Sequence, residues 1–174
     1  MLYGLDQAVV NGADRARLLN GFTNSISTVS VVVDPAALFD ASSGIYVNPR
    51  GEGREWERPT MLEFFDPKGV EANVSIQAGI RIRGGNSRNT NWPKHSLRFF
   101  FRSEYGESSL AAKMFLGESV KEAGEYDKID MRTSQNLSWA NAKSTMDTFV
   151  TEVFARDSQR DMGQPYTQIG RAHV

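Results

Sequence analysis

The chain has 174 residues, of which 40% are hydrophobic and 24% charged, a composition typical of a globular domain with a hydrophobic core. Its net charge of −1 argues against a broad nucleic-acid-binding surface, and the absence of cysteine excludes disulfides, cysteine zinc sites and thiol catalysis. No apolar run reaches the length of a membrane span, and the first residues lack the features of a secretory signal.

The first third of the chain predicts short elements separated by turns. Residues 5–22 mix apolar and polar side chains in a pattern that favours helical turns broken once. Residues 25–33, SISTVSVVV, are rich in β-branched side chains and predict a buried strand that stops at an Asp-Pro turn. Residues 50–59 predict a charged loop, and residues 61–65 predict the next short strand.

Residues 74–102 predict two alternating strands joined by a glycine-rich loop. Their apolar face carries Val74, Ile76, Ala78, Ile80 and Ile82 in the first strand and Leu97, Phe99 and Phe101 in the second. Their polar face carries Arg81, Arg83, Arg98 and Arg102. Like charges opposed across a sheet are destabilising, so a negative group is expected among these arginines. It could be a ligand phosphate or a protein carboxylate such as Glu63.

The loop of residues 84–88, GGNSR, is the candidate anion site. Adjacent glycines let backbone N–H groups turn inward, and an amide, a hydroxyl and arginines surround them, as in concavities that bind phosphate. The candidate nucleotide-binding residues are Gly84, Gly85, Asn86, Ser87, Lys94 and Arg83. Lys94 follows a proline that holds the backbone extended at the start of the second strand. A plain hairpin loop and a solvated edge lysine are the alternatives.

The remainder of the chain predicts one more strand and one long helix. Residues 128–132 alternate as a short strand, and a helix is expected from Ser144 to Gly163. Its apolar stripe consists of Met146, Phe149, Val150, Val153 and Phe154. The expected fold class is therefore α+β, with a mostly antiparallel sheet covered on one face and one long amphipathic helix.

Metal binding and nucleophilic catalysis find little support in these residues. His95 has no second ligand at a suitable spacing, and no Ser/His/Asp set can be assembled, so neither a metal site nor a catalytic residue is predicted. Trp56 and Trp92 lie in polar loops, where tryptophans line carbohydrate or partner surfaces or pack over a sheet.

Several stretches in order resemble the CotH (spore coat protein H) kinase-like family, as found in large bacterial surface proteins with lamin-tail modules. The similar stretches are residues 30–39 with 44–48, 56–59, 79–85, 93–98, and 154–157 with 162–165. The resemblance implies an atypical protein-kinase-like fold whose N-terminal part this chain supplies. It also implies that the loop of residues 84–87 lies near the nucleotide and that Lys94 contacts its phosphates.

The resemblance further implies a secreted or cell-surface bacterial parent that transfers the γ-phosphoryl group of ATP, with Mg²⁺ or Mn²⁺, to Ser or Thr of a coat or surface protein. The family's catalytic and metal-binding aspartates would follow residue 164, so residues 1–168 are expected to form a truncated, inactive domain. Residues 169–174, IGRAHV, resemble the translation of a sequencing adapter. The alternative is a non-catalytic module that binds a partner protein or a polysaccharide.

Overall fold

The computed structural model describes residues 7–24, 28–66, 73–112, 125–133 and 151–164. Within them, five strands form one antiparallel sheet in sequence order. The strands are β1 (Thr28–Val32), β2 (Arg58–Phe65), β3 (Val74–Arg83), β4 (Ser96–Phe100) and β5 (Lys128–Met131). The helices are α1 (Gln7–Val10), α2 (Arg15–Asn24), α3 (Pro35–Phe39) and α4 (Thr151–Asp161), with 3₁₀ turns at Arg54–Trp56 and Asn86–Arg88.

Alternation along the central strands separates a buried face of the sheet from a polar one. The register places Ile80 opposite Phe99, and Leu62 opposite Ile76, all on the same face. Ile80, Phe99 and Leu62 are almost completely buried. Burial of side chains of this size contributes about 1.5–3 kcal/mol each, so this face is the hydrophobic core.

The segment after β1 supplies the residues that pack on the core face. Asp34 caps α3 by accepting a hydrogen bond from the Ala36 backbone N–H at 2.9 Å, and Pro35 takes the first helical position. The following loop places Ile45, which is 1% exposed, in the core. Hydrogen bonds from the hydroxyl and backbone N–H groups of Ser42 and Ser43 hold the pKa of Asp40 well below its usual value.

The predicted α+β class with an antiparallel sheet is confirmed, with changes at the strand ends. The charged loop expected at 50–59 ends earlier, because Arg58 and Pro59 already pair with Ile80 and Gly79 of the ten-residue strand β3. Residues 25–27, which were expected to begin β1, lie outside the described residues. Of the described helices, none is both long enough and apolar enough to cross a membrane.

The expected long helix is described only in its last part. Residues 134–150, with Ser144 and most of the apolar stripe, lie outside the described residues, as does the proposed adapter segment 169–174. The described part, α4, ends before Gly163, whose φ of 69° suits glycine, in agreement with the expected stop. Phe154 of the stripe is 73% exposed, so the described residues leave this side chain uncovered.

Candidate anion-binding cleft

A cleft of about 510 Å³ lies beside the loop that joins β3 to β4, on the polar side of the sheet. Its lining includes Arg81, Arg83, Arg88, Arg98, Gly84 and Gly85. Three of these arginines come from strand alternation, because Arg81 and Arg83 share a face of β3 and Arg98 is the direct register partner of Arg81. The fold therefore gathers the predicted cationic face and the predicted loop at one place.

Two carboxylates make this crowding of arginines tolerable. The first is Glu57, whose side chain is only 1% exposed. Arg102 donates to Glu57 Oε1 from Nε at 3.0 Å and to Oε2 from a terminal nitrogen at 3.4 Å, and Arg81 Nε lies 3.4 Å from Oε2. The Tyr105 hydroxyl donates to Oε1 at 3.1 Å. Burial, together with the charge of Glu57, raises the pKa of Tyr105 to about 12.

Gly79 provides the space in which the Glu57 carboxylate lies. A Cβ atom at Gly79 would be 2.4 Å from Glu57 Oε1 and 2.6 Å from Cε2 of Tyr105. Any side chain there would displace the carboxylate or the ring. The glycine in the middle of a strand thus serves a close approach of polar groups, a role common for strand glycines.

The second carboxylate is Asp130 on β5. Arg98 donates to both of its oxygens, from Nε at 2.5 Å and from a terminal nitrogen at 2.9 Å. Arg83 Nε lies 2.6 Å from Oδ2 as an ion pair, although its N–H is not aligned for a hydrogen bond. Burial acts to raise the pKa of Asp130, but the hydrogen bond and charge of Arg98 and the charge of Arg83 outweigh it, so the pKa lies below its usual value.

Arg88 has a structural role in the cleft wall. Its guanidinium donates to the backbone carbonyls of Pro49, Gly51 and Ile82, the last at 2.8 Å. Glu52 approaches Arg88 Nε at 3.7 Å but is 76% exposed at its side chain, so this pair adds little. Arg88 therefore ties the loop both to residues 49–51 and to the end of β3.

Among the described residues, the charge around the cleft is positive in total. Five arginines (81, 83, 88, 98 and 102) face three carboxylates (52, 57 and 130), which leaves a surplus of two positive charges. Burial lowers the pKa of Arg81, Glu57 opposes this effect, and the neighbouring arginines add to it. A bound anion would relieve this repulsion.

Of the six sequence-predicted residues, three line the cleft, two are exposed outside its lining, and Ser87 is buried. Arg83, Gly84 and Gly85 line the cleft. Gly84 has a φ of 86°, which explains a glycine at the end of β3. Asn86 is exposed in the 3₁₀ turn, and Lys94 is exposed just before β4, outside the cleft lining.

Ser87 is buried and fixes the loop to the second strand. Its hydroxyl accepts a hydrogen bond from the backbone N–H of Ser96, and its carbonyl contacts Nδ1 of His95. The ring of His95 lies edge-on to Tyr46 with 4.8 Å between centroids. These contacts make Ser87 and His95 parts of the loop's framework. In the part of the chain that the structure describes, no group of three or more metal-ligating side chains occurs.

Glu63, the carboxylate predicted as a partner of the arginines, lies away from them. It stands opposite Ser30 on β1 and Ser75 on β3, at the far end of β2. Glu57 falls within the predicted charged loop of residues 50–59, and Asp130 belongs to a strand whose place beside β4 is not a local property. Alternation along residues 128–132 is the one signal that puts Asp130 on a polar face.

The loop tryptophan Trp56 belongs to the packing of the fold. It packs against the core, and a Cβ at Gly51 would lie 2.2 Å from its ring. Arg58 stacks on the same ring at 5.6 Å from the centroid. The ring is thus engaged by protein groups.

In comparisons with known proteins, no family model matches this chain, and no curated protein or solved structure gives a significant match.

Proposed function

We propose that the cleft binds the phosphate groups of ATP and that the chain supplies the phosphate-binding part of a CotH-like kinase domain. The surplus of two positive charges beside the side-chain-free loop of Gly84 and Gly85 is the observation that carries the proposal. Arginine guanidinium groups and loop N–H groups are the donors that proteins use for phosphate.

Arg81 and Arg83 are the residues best placed to hold the phosphates. Both meet their carboxylates through Nε, and among the described residues their terminal guanidinium nitrogens have no hydrogen-bond partner. Their side chains are 22% and 33% exposed, and both residues line the cleft. Each therefore has paired N–H groups available for the fork-like contact that arginine makes with phosphate.

Lys94 and a divalent metal ion are proposed to act on the outer phosphates of ATP. Lys94 lies two residues before Ser96, the register partner of Arg83, and is proposed to contact an outer phosphate. Mg²⁺ or Mn²⁺ would arrive with ATP and meet carboxylates that the resemblance places after residue 164. The metal would neutralise charge that develops during transfer to Ser or Thr of a coat or surface protein.

The binding step is tested by calorimetric titration of the chain with ATP and Mg²⁺. Arg83→Ala should weaken binding by roughly tenfold or more, because a hydrogen bond between charged groups contributes about 1.5–3 kcal/mol. Arg17→Ala in α2 removes the same charge outside the cleft lining and should leave binding within about twofold.

Two outcomes would contradict the proposal. If the chain does not bind ATP, the non-catalytic module that binds a partner or a polysaccharide replaces it. If Arg17→Ala and Arg83→Ala weaken binding equally, the effect comes from total charge and not from the cleft.

A further inference from the structure

We infer that the cleft recognises an extended polyphosphate and is indifferent to the base attached to it. The inference rests on the proposed phosphate binding and specifies the class of ligand. It follows from the arrangement of the arginines, from the covered apolar lining and from the open loop backbone.

The available arginines form a row along the sheet. Arg81 and Arg83 are two residues apart on one strand, which places their Cα atoms about 7 Å apart. Arg98 lies beside this row, directly across from Arg81, and already donates to both oxygens of Asp130. A row of this length matches successive phosphoryl groups of a chain better than the clustered oxygens of one phosphate. Each further phosphoryl group adds charge that the row can pair.

The described lining offers no free apolar surface to a base. Its two large apolar residues are Ile82, at 3% exposed, and Phe100, at 8% exposed. The ring of Phe100 already carries the guanidinium of Arg81 at 4.1 Å and that of Arg102 at 4.8 Å from its centroid. Proteins that hold a base do so largely by stacking it on accessible aromatic rings. In this lining the one aromatic ring is engaged.

The loop leaves room for a chain of phosphate oxygens. A Cβ at Gly85 would meet no atom within 4 Å, and one at Gly84 would meet only Ser87 Cβ at 3.7 Å. The backbone of both glycines is therefore open to a ligand. Backbone N–H groups in such loops bind phosphate oxygens without regard to the group esterified to them.

The experiment compares four ligands by calorimetry at one ionic strength and without divalent metal: ATP, GTP, inorganic tripolyphosphate and AMP. We expect the first three to bind with dissociation constants within about threefold of one another, and AMP to bind at least about tenfold more weakly. If ATP binds at least about tenfold more tightly than tripolyphosphate, base indifference is wrong while the proposed phosphate binding stands. If none of the four binds, both proposals fail.

One variant separates recognition of the polyphosphate from effects on the protein fold. Arg83→Ala removes a partly exposed side chain and should weaken the binding of ATP and of tripolyphosphate by the same factor. Arg17→Ala is the matched charge control. A loss confined to ATP would overturn the inference, and unchanged circular dichroism would show that the variant is folded.

Discussion

Arg81 and Arg98 face each other directly across β3 and β4, yet each is paired with a different carboxylate. Arg81 meets Glu57, which precedes β2, and Arg98 meets Asp130 on β5. The two arginines thus divide their counter-ions between opposite sides of the hairpin. This division keeps a like-charged cross-strand pair stable while leaving guanidinium nitrogens for a ligand.

Replacing the buried carboxylate of Glu57 should lower the free energy of unfolding. Glu57→Gln keeps the shape of the side chain but removes the charge that Arg81 and Arg102 require. Loss of one partner of a fully buried pair costs about 3–5 kcal/mol, and we expect about 2 kcal/mol here because both arginines are partly exposed. Urea unfolding measures the change.

Glu104→Gln is the control for this substitution. Glu104 pairs with Arg54 at the surface, where both side chains are about half exposed, and its loss should change stability by less than about 0.5 kcal/mol. Equal effects of the two substitutions would mean that burial of Glu57 adds nothing.

Two glycines on the same hairpin should respond oppositely to alanine. Gly79→Ala places a Cβ 2.4 Å from Glu57 Oε1 and should destabilise the fold by about 1–3 kcal/mol through overpacking. Gly85 has a φ of −71° and open space around its Cβ position, so Gly85→Ala should be neutral or stabilising by up to about 1 kcal/mol. Thermal unfolding of both variants is the measurement, and similar losses in both would contradict the packing described here.

Removing Asp130 should tighten anion binding. Asp130→Asn leaves Arg83 and Arg98 without their shared counter-ion, so a bound phosphate no longer competes with it. We expect affinity for tripolyphosphate to rise on the order of tenfold. Titration calorimetry checks this, with Asp14→Asn, in the turn just before α2, as the charge control. Weaker binding by Asp130→Asn would show that the carboxylate positions the arginines and does not oppose the ligand.

The same carboxylate should make part of the stability depend on pH. Because the folded-state pKa of Asp130 is depressed, its contribution is present above its unfolded pKa of about 3.9 and is lost as pH falls through the lower folded value. The unfolding free energy of the unmodified chain should therefore fall more steeply below pH 4 than that of Asp130→Asn. Urea midpoints from pH 7 to pH 2.5 test this, and parallel curves would exclude the linkage.

Lys94 and Arg83 should differ in their share of ATP binding. Lys94 is exposed and outside the cleft lining, whereas Arg83 is part of it. Lys94→Ala is expected to weaken ATP binding by about threefold, because a solvated charge pair contributes under about 1 kcal/mol. Arg83→Ala is expected to weaken it by about tenfold or more. A larger loss from Lys94→Ala would make the lysine the principal phosphate ligand.

Local patterns were sufficient to predict the strands of the hairpin and the arginine face. Alternation with a period of two depends only on neighbouring residues, so residues 74–102 carry it in their sequence. The positive φ of Gly84 follows from the same stretch, since the chain must turn where β3 ends.

The partners of the arginines could not be predicted in this way. Arg102 meets Glu57 across 45 positions, and Arg98 meets Asp130 across 32. Those contacts depend on strand register and on the order of strands in the sheet, which many distant core contacts set together. Residues 74–102 therefore specify the arginine face by themselves. Tertiary packing decides where the carboxylates of Glu57 and Asp130 lie, and so which nitrogens of Arg81 and Arg83 remain for an anion.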